Sequence, residues 1–193
     1  MDKGYFNYMS EQTSSSLFRN GKVLTRRDIN GSDSSSKGIN LERHVKKIKN
    51  GREQVGKNSI SLDTNGFELL KSPLNSPDID FFDNDQVVKN YYFYCADTIK
   101  EFTGARFVYA FDHNIRSASG KKKKRMIKGG QQVQGPAHVV HGDYTLTSAP
   151  QRIQQLSNPP GENDTLSRIL EKEQSLLTKE LVKDLLSDNR FAI

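Results

Sequence analysis

The chain has 193 residues, of which 34% are apolar, with no Trp, one Cys and a mean hydropathy of -0.73, so it can hold one domain with a modest core. No run approaches the roughly 18 apolar residues of a membrane helix, and the start, MDKGYFNYMSEQ, has neither the basic nor the apolar region of a secretory signal. A single Cys95 gives no internal disulfide, and with no nucleophile motif around it, it reads as a small hydrophobe beside Tyr91, Tyr92 and Tyr94. A soluble, cytoplasmic protein is expected, without a membrane partner.

The net charge of +6 is uneven. Residues 1–60 carry 12 Lys/Arg against 6 Asp/Glu, and residues 118–150 carry 6 against 1, whereas 61–117 carry 5 against 9. Basicity confined to the N-terminal segment and one lysine run argues against a whole-protein nucleic-acid face.

Residues 1–58 are Ser-rich, basic and without sustained periodicity, and are expected to be loosely ordered, with short strands near Gly21–Leu24. Leu41, Val45 and Ile48 fit one or two helical turns, with His44 solvated. From residue 59 the character changes. Ile60–Leu62 leads into the turn signal Asp63-Thr64-Asn65-Gly66, followed by a short strand at Phe67–Leu70, and the two prolines of Ser72–Asp80 make a connector. Val87, Val88, Tyr91, Tyr92, Cys95, Ile99 and Phe102 recur at helical spacing, so Asp85–Phe102 is predicted to be a helix, capped by Asp83 or Asp85 and closed by Gly104.

Arg106–Phe111 is rich in β-formers and predicts a buried strand, followed by a loop over Ser117–Gly135 and a second strand over His138–Thr147. A helix is predicted over Thr165–Leu186 from the spacing of eight Leu and Ile residues, and Arg190–Ile193 resembles the opening of another strand. Within the loop, Lys121–Arg125 reads as a solvated basic run whose like charges keep it extended. A nuclear-import signal or a phosphate patch are its sharper readings, and the lack of interleaved aromatics argues against single-strand binding.

His141-Gly142-Asp143 is the segment richest in chemistry. On a strand, residues two apart share a face, so His141 and Asp143 would point the same way as Val139 and Thr145. An imidazole and a carboxylate so arranged fit two positions of a two-His-one-carboxylate metal site, although most such triplets are polar surface pairs. His138, three positions from His141, would face the other side. His113 and Arg116, after the first strand, and Tyr144 are candidates for the substrate or cosubstrate vicinity, while hydrogen bonding beside Asp112 is the plainer role for His113. Arg152 reads as a structural residue.

Four blocks, Ser61-Leu62-Asp63-Thr64-Asn65-Gly66-Phe67, Gly104-Ala105-Arg106, Phe111-Asp112-His113-Asn114-Ile115-Arg116, and His141-Gly142-Asp143-Tyr144-Thr145 through Ala149-Pro150-Gln151-Arg152, together resemble the hydroxylase/desaturase family of gibberellin desaturase-type and cephem methoxylase-associated proteins. These are similar to iron(II)/2-oxoglutarate oxygenases. The resemblance covers about residues 55–193. It implies an α+β, mainly β fold: a double-stranded β-helix, or jelly-roll, with flanking helices. It also implies Fe(II) and 2-oxoglutarate as cofactors, His141 and Asp143 as iron ligands, and hydroxylation or desaturation of a small specialised metabolite. Tyr91-Tyr92-Phe93-Tyr94 stands where members tend to carry Tyr-Tyr-Pro-Glu. The family's distal iron-binding His and its 2-oxoglutarate-binding Arg lie beyond a strand that begins like Arg190–Ile193. The expectation is therefore that residues 59–193 form the N-terminal part of such a domain, incomplete at its C-terminus and inactive alone. The rival readings are a catalytically inactive remnant of the family and a basic interaction protein.

Overall fold

The structure is a computed structural model, and it describes residues 2–11, 25–27, 33–36, 40–54, 60–71, 79–130, 132–162, 164–187 and 189–193. The expected strand at Gly21–Leu24 and most of the Ser72–Asp80 connector lie outside the described residues. The chain divides into two units: one of 1–26, 35–77 and 137–141, the other of 27–34, 78–136 and 142–193.

In the first unit, β1 (Asp2–Met9) pairs antiparallel with β4 (Leu41–Ile48), in a register that sets Tyr5 opposite Val45 and Phe6 opposite His44. The helical turns expected at Leu41–Ile48 are thus a strand. Three apolar positions in eight residues do not distinguish the two periods, and the aromatic side chains of β1 supply the cross-strand partners that decide between them. The Arg43 guanidinium lies 4.0 Å above the Tyr5 ring, while His44 meets the edge of Tyr8 at 5.1 Å and the Glu42 carboxylate at 3.5 Å. Asn7 holds the later segment with two bonds: its side-chain nitrogen donates to the His138 carbonyl at 2.9 Å, and its carbonyl accepts from the Val140 N–H at 2.9 Å. Two short strands, β2 (Thr25–Arg27) and β3 (Asp33–Ser36), form a separate two-stranded sheet.

The Asp63–Gly66 turn signal is realised as one helical turn, α1 (Leu62–Asn65), capped by the Ser61 side chain and ended by Gly66 at φ 75°. Phe67–Leu70 after it is irregular, not a strand.

The second unit is built on helices. α2 (Asn84–Gln86) runs through a π-helical turn (Val87–Tyr91) into α3 (Tyr92–Thr103). The Asp83 carboxylate accepts from the N–H groups of Asp85 and Gln86, and Gly104 at φ 68° closes the far end on the Lys100 carbonyl. Val87, Val88 and Tyr92 are its buried face. α4 (Ala118–Lys122), capped by Ser117, and α5 (Ser148–Gln155) follow. A 3-10 turn at Thr165–Arg168, capped by Asp164, precedes α6 (Lys179–Ser187). Ile153, Leu156, Leu166, Leu177 and Val182 form the main core, and Ile169 packs against both this cluster and the Val87–Tyr92 face.

Arg106–Phe111 and His138–Thr147 are irregular, not the predicted strands. β-forming composition needs a neighbouring backbone to pair with, and the ladders among the described residues are those of β1 with β4 and β2 with β3. The Thr165–Leu186 helix is likewise two short helices with a non-helical stretch between them. The Leu177 N–H donates to the Leu156 carbonyl at the end of α5, which turns the chain around the core.

Candidate functional site

Tyr92 opens α3 with its ring against Val87 and Val88, and its hydroxyl reaches Nδ1 of His113 at 2.8 Å. In the irregular segment after Phe111 the Asp112 carboxylate accepts from the His113 backbone N–H at 2.8 Å. Burial lowers the pKa of the His113 imidazole, against an upward pull from the Asp112 charge. Burial, and then the charges of Asp112 and Asp164, push the Tyr92 phenol well above its ordinary range. Both rings are therefore neutral near pH 7.

His113 lines an open cavity of about 690 Å³ in the second unit, together with Asn114, Gln134, Arg152, Asp164 and Arg168. Gln134 is only 5% exposed. Its Nε2 donates to Asn114 Oδ1 at 3.0 Å, its backbone N–H to the Ile115 carbonyl at 3.0 Å, and its carbonyl accepts from Ser117 N–H at 2.9 Å. Gln134 Oε1 is buried and has no hydrogen-bond partner among the described residues. Arg168 is fixed by Asp85, at 2.6 Å, and by the Gly129 carbonyl. Arg152 lies over the Phe111 ring at 4.9 Å and reaches Gln155 Oε1 at 3.4 Å.

Of the residues singled out in the sequence, His113 lines this cavity. Arg116 turns instead to the Gly135 carbonyl, 3.1 Å away, where it joins two backbone segments. Tyr144 meets Phe111 edge-on at 6.4 Å. His141 and Asp143 are both exposed and stand on irregular backbone, so the alternation of a strand is not what orients them. His141 Nδ1 lies 2.8 Å from the carbonyl of its own neighbour Val139. If the imidazole is neutral, Nδ1 carries the proton donated to that carbonyl and Nε2 is the basic nitrogen, the arrangement usual in metal-binding histidines. Among the described residues no group of three or more His, Cys, Asp or Glu is placed to hold a metal ion. An imidazole and a carboxylate are side chains of the types that non-haem iron takes as ligands.

Sequence reasoning missed Tyr92, Gln134 and Arg168. The Asp112-His113-Asn114 triplet was the available signal, but its partners come from positions that only the fold brings near.

The Oxidoreductase/YMDC permease-like domain profile matches residues 6–173 of the chain. An uncharacterized protein in the dcmA 3′ region of Methylophilus leisingeri is 44% identical over 188 residues, covering 97% of this chain and 85% of that protein. Oxidoreductase AN1597 of Emericella nidulans is 36% identical over 94 residues, 48% of this chain and 31% of the enzyme. An alpha-ketoglutarate-dependent dioxygenase, phiK of a fungal species, is 42% identical over 60 residues, 31% of this chain and 21% of the enzyme. The matches to these two enzymes cover less than a third of each enzyme's length. No solved structure matches the chain. Among the described residues no helix is long and apolar enough to cross a membrane.

Proposed function

This chain belongs to the Oxidoreductase/YMDC permease-like domain family, and on that premise we propose that it is an oxidoreductase of the iron(II)/2-oxoglutarate type acting on a small specialised metabolite. The observation that carries the reading is the likeness to the relative named alpha-ketoglutarate-dependent dioxygenase, beside that to oxidoreductase AN1597. His141 and Asp143 supply two of the three iron ligands, His141 through Nε2. The Val139 carbonyl acts as the outer partner that fixes the ring. A double-stranded β-helix is the architecture proposed for the whole oxygenase domain. When bound, iron with 2-oxoglutarate supplies the oxidising power for hydroxylation or desaturation. The chain's part is to orient the imidazole and present the carboxylate.

A second reading, that this chain alone is catalytically inactive, is favoured by the absence of a third ligand grouped with these two among the described residues. Iron(II) titration of the wild type, His141→Ala and Asp143→Ala separates the outcomes. Binding lost in both variants supports the site, with 2-oxoglutarate turnover then deciding between the two readings. Binding of equal strength in all three places iron elsewhere and sinks the assignment.

A further inference from the structure

We propose that the outer edge of β4 is a docking site for an extended acidic peptide, which adds as a third strand to the β1–β4 sheet. The inference does not rest on the iron reading. It starts from the direction of the ladder's hydrogen bonds. The Ser10 N–H donates to the carbonyl of Asn40, its partner one step beyond the β1–β4 register, at 2.8 Å. In an antiparallel pair such bonded steps alternate with steps whose N–H and C=O groups turn outward. Glu42, His44, Lys46 and Ile48 therefore face β1 with their backbone, and Leu41, Arg43, Val45 and Lys47 present theirs on the outer side. The same alternation turns Asn7 outward on β1, where its carbonyl accepts from the Val140 N–H at 2.9 Å. On β4 no such partner meets the outward groups among the described residues. An edge of this kind is a template for another strand.

The side chains specify the partner. Residues two apart on a strand share a face, so Leu41, Arg43, Val45 and Lys47 stand together, and the register sets Met9, Asn7, Tyr5 and Lys3 opposite them. That face carries Lys3, Arg43 and Lys47 and no carboxylate, because Asp2 and Glu42, the acidic residues of the two strands, fall on the other one. Leu41 and Val45 are 43% and 53% exposed, and Arg43 and Lys47 are exposed beside them. Edge cations ordinarily deter pairing. Here the deterrent is selective, since like charges directly opposite destabilise a ladder and opposite charges support it. A strand with carboxylates against Arg43 and Lys47, and apolar side chains against Leu41 and Val45, meets every outward position with its complement. The Arg43 guanidinium lies 4.0 Å above the Tyr5 ring, a stacking that leaves its in-plane N–H donors for a carboxylate. Tyr5 is the one aromatic residue among these eight, too few for the successive stacking platforms that single-stranded nucleic acid uses, so a peptide is favoured.

The full chain can be titrated with the peptide Glu-Thr-Val-Thr-Glu-Thr-Val. Laid antiparallel, it sets its Glu residues against Lys47 and Arg43 and its Val residues against Val45 and Leu41. One comparator has Lys for both Glu residues. The other has Pro for the first Val, which keeps the charge and deletes an N–H that the ladder needs. The β4 amide resonances and their hydrogen exchange provide the readout. In the free chain the Arg43, Val45 and Lys47 amides should exchange at least tenfold faster than those of His44 and Lys46. The acidic peptide should bind saturably, slow those three amides, and bind at least tenfold tighter than either comparator. Arg43→Glu with Lys47→Glu should abolish that binding and admit the lysine peptide instead. Lys122→Glu with Lys123→Glu, which changes the net charge equally elsewhere, should leave it unchanged. Inward and outward amides that exchange alike, absence of saturable shifts, or equal binding of the Pro peptide would each overturn the proposal. So would tighter binding of an oligothymidylate at the same residues, or slowing that grows with protein concentration alone, as a second copy on the edge would produce.

Discussion

The Tyr92 hydroxyl sits 2.8 Å from Nδ1 of His113, and the two rings meet edge to face with centroids 5.5 Å apart. One contact thus ties the first turn of α3 to the segment that lines the cavity. Tyr92→Phe keeps the ring and deletes the hydrogen bond. Its expected cost is about 0.5–1.5 kcal/mol, the usual net worth of such a bond. Urea unfolding of Tyr92→Phe, His113→Ala and the double variant should show the two losses to be less than additive. Full additivity would mean the pair does not interact in solution.

His113 should also shape the pH dependence of stability. Burial lowers its folded pKa below the ordinary value of 6.5, so the unfolded chain binds the proton more readily. Stability then rises with pH up to about the unfolded value of 6.5 and falls on acidification below it. Thermal unfolding of the wild type between about pH 5 and 8 should show this slope. In His113→Gln the His113 part of the slope disappears; an unchanged profile would show that the imidazole is as easily protonated folded as unfolded.

Asp83 links an N-terminal cap to a long-range ion pair. Its Oδ1 accepts from the Asp85 and Gln86 N–H groups, and its Oδ2 meets Lys128 Nζ at 2.7 Å. The Lys128 backbone bonds the same segment, to Phe82 and from Asn84. The Lys128 hydrogen bond holds the Asp83 carboxyl below its ordinary 3.8. This depression stabilises the fold above the unfolded pKa of about 3.9 and is lost as pH falls through the lower folded value. Asp83→Asn should lower the melting temperature at pH 7 and leave it little changed at the acidic end. A uniform drop at every pH would assign the effect to packing.

Lys121–Arg125 is less uniform than its composition. Arg125 lies 3.4 Å over the Phe82 ring, its backbone N–H donates to Gly120 and its carbonyl accepts from Val133. Lys124 stands at φ 51°, where glycine is at ease and a lysine is strained. Arg125→Ser should cost roughly 0.5–1 kcal/mol, as for exposed cation–aromatic contacts. Lys124→Gly should be neutral or stabilising, and Lys122→Ser and Lys123→Ser silent. Chemical denaturation of the four variants checks the ranking, and equal losses across the run would contradict it.

The legible parts of the fold were those fixed by local chemistry. The helix from Asn84 to Thr103 could be read because Val87, Val88 and Tyr92 mark a buried face between an Asp83 cap and a Gly104 stop. Arg106–Phe111 could not, since Phe107 and Tyr109 stack on each other at 6.4 Å instead of entering a ladder. At His138–Thr147 the backbone bond from Val140 to Asn7 holds the segment without making a strand. The cavity was the least legible element. Its walls include Asp112–Ile115, Gln132 and Gln134, Arg152, and residues between Glu162 and Arg168, and no sequence spacing signals that these meet.

Two leucines test where stability resides. Leu166 is 2% exposed in the 3-10 turn that Asp164 caps, and it sits in the core with Ile153, Leu156, Leu177 and Val182. Leu146, on the segment where a strand was expected, is 97% exposed. Truncating a buried leucine loses both its transfer free energy and the contacts around the space it leaves, about 2–5 kcal/mol together. Removing a solvent-facing one changes stability by no more than about 0.5 kcal/mol. Leu166→Ala should therefore shift the urea midpoint strongly downward with little change in slope, while Leu146→Ala leaves it in place. The same contrast bears on the cavity, because Asp164, Thr165, Ser167 and Arg168, which line it, surround Leu166 in sequence. Loss of the leucine should loosen those residues and broaden the His113 resonances even where the fold persists. Comparable losses at the two positions would mean that Leu146 is covered in solution and that the segment around it packs against something.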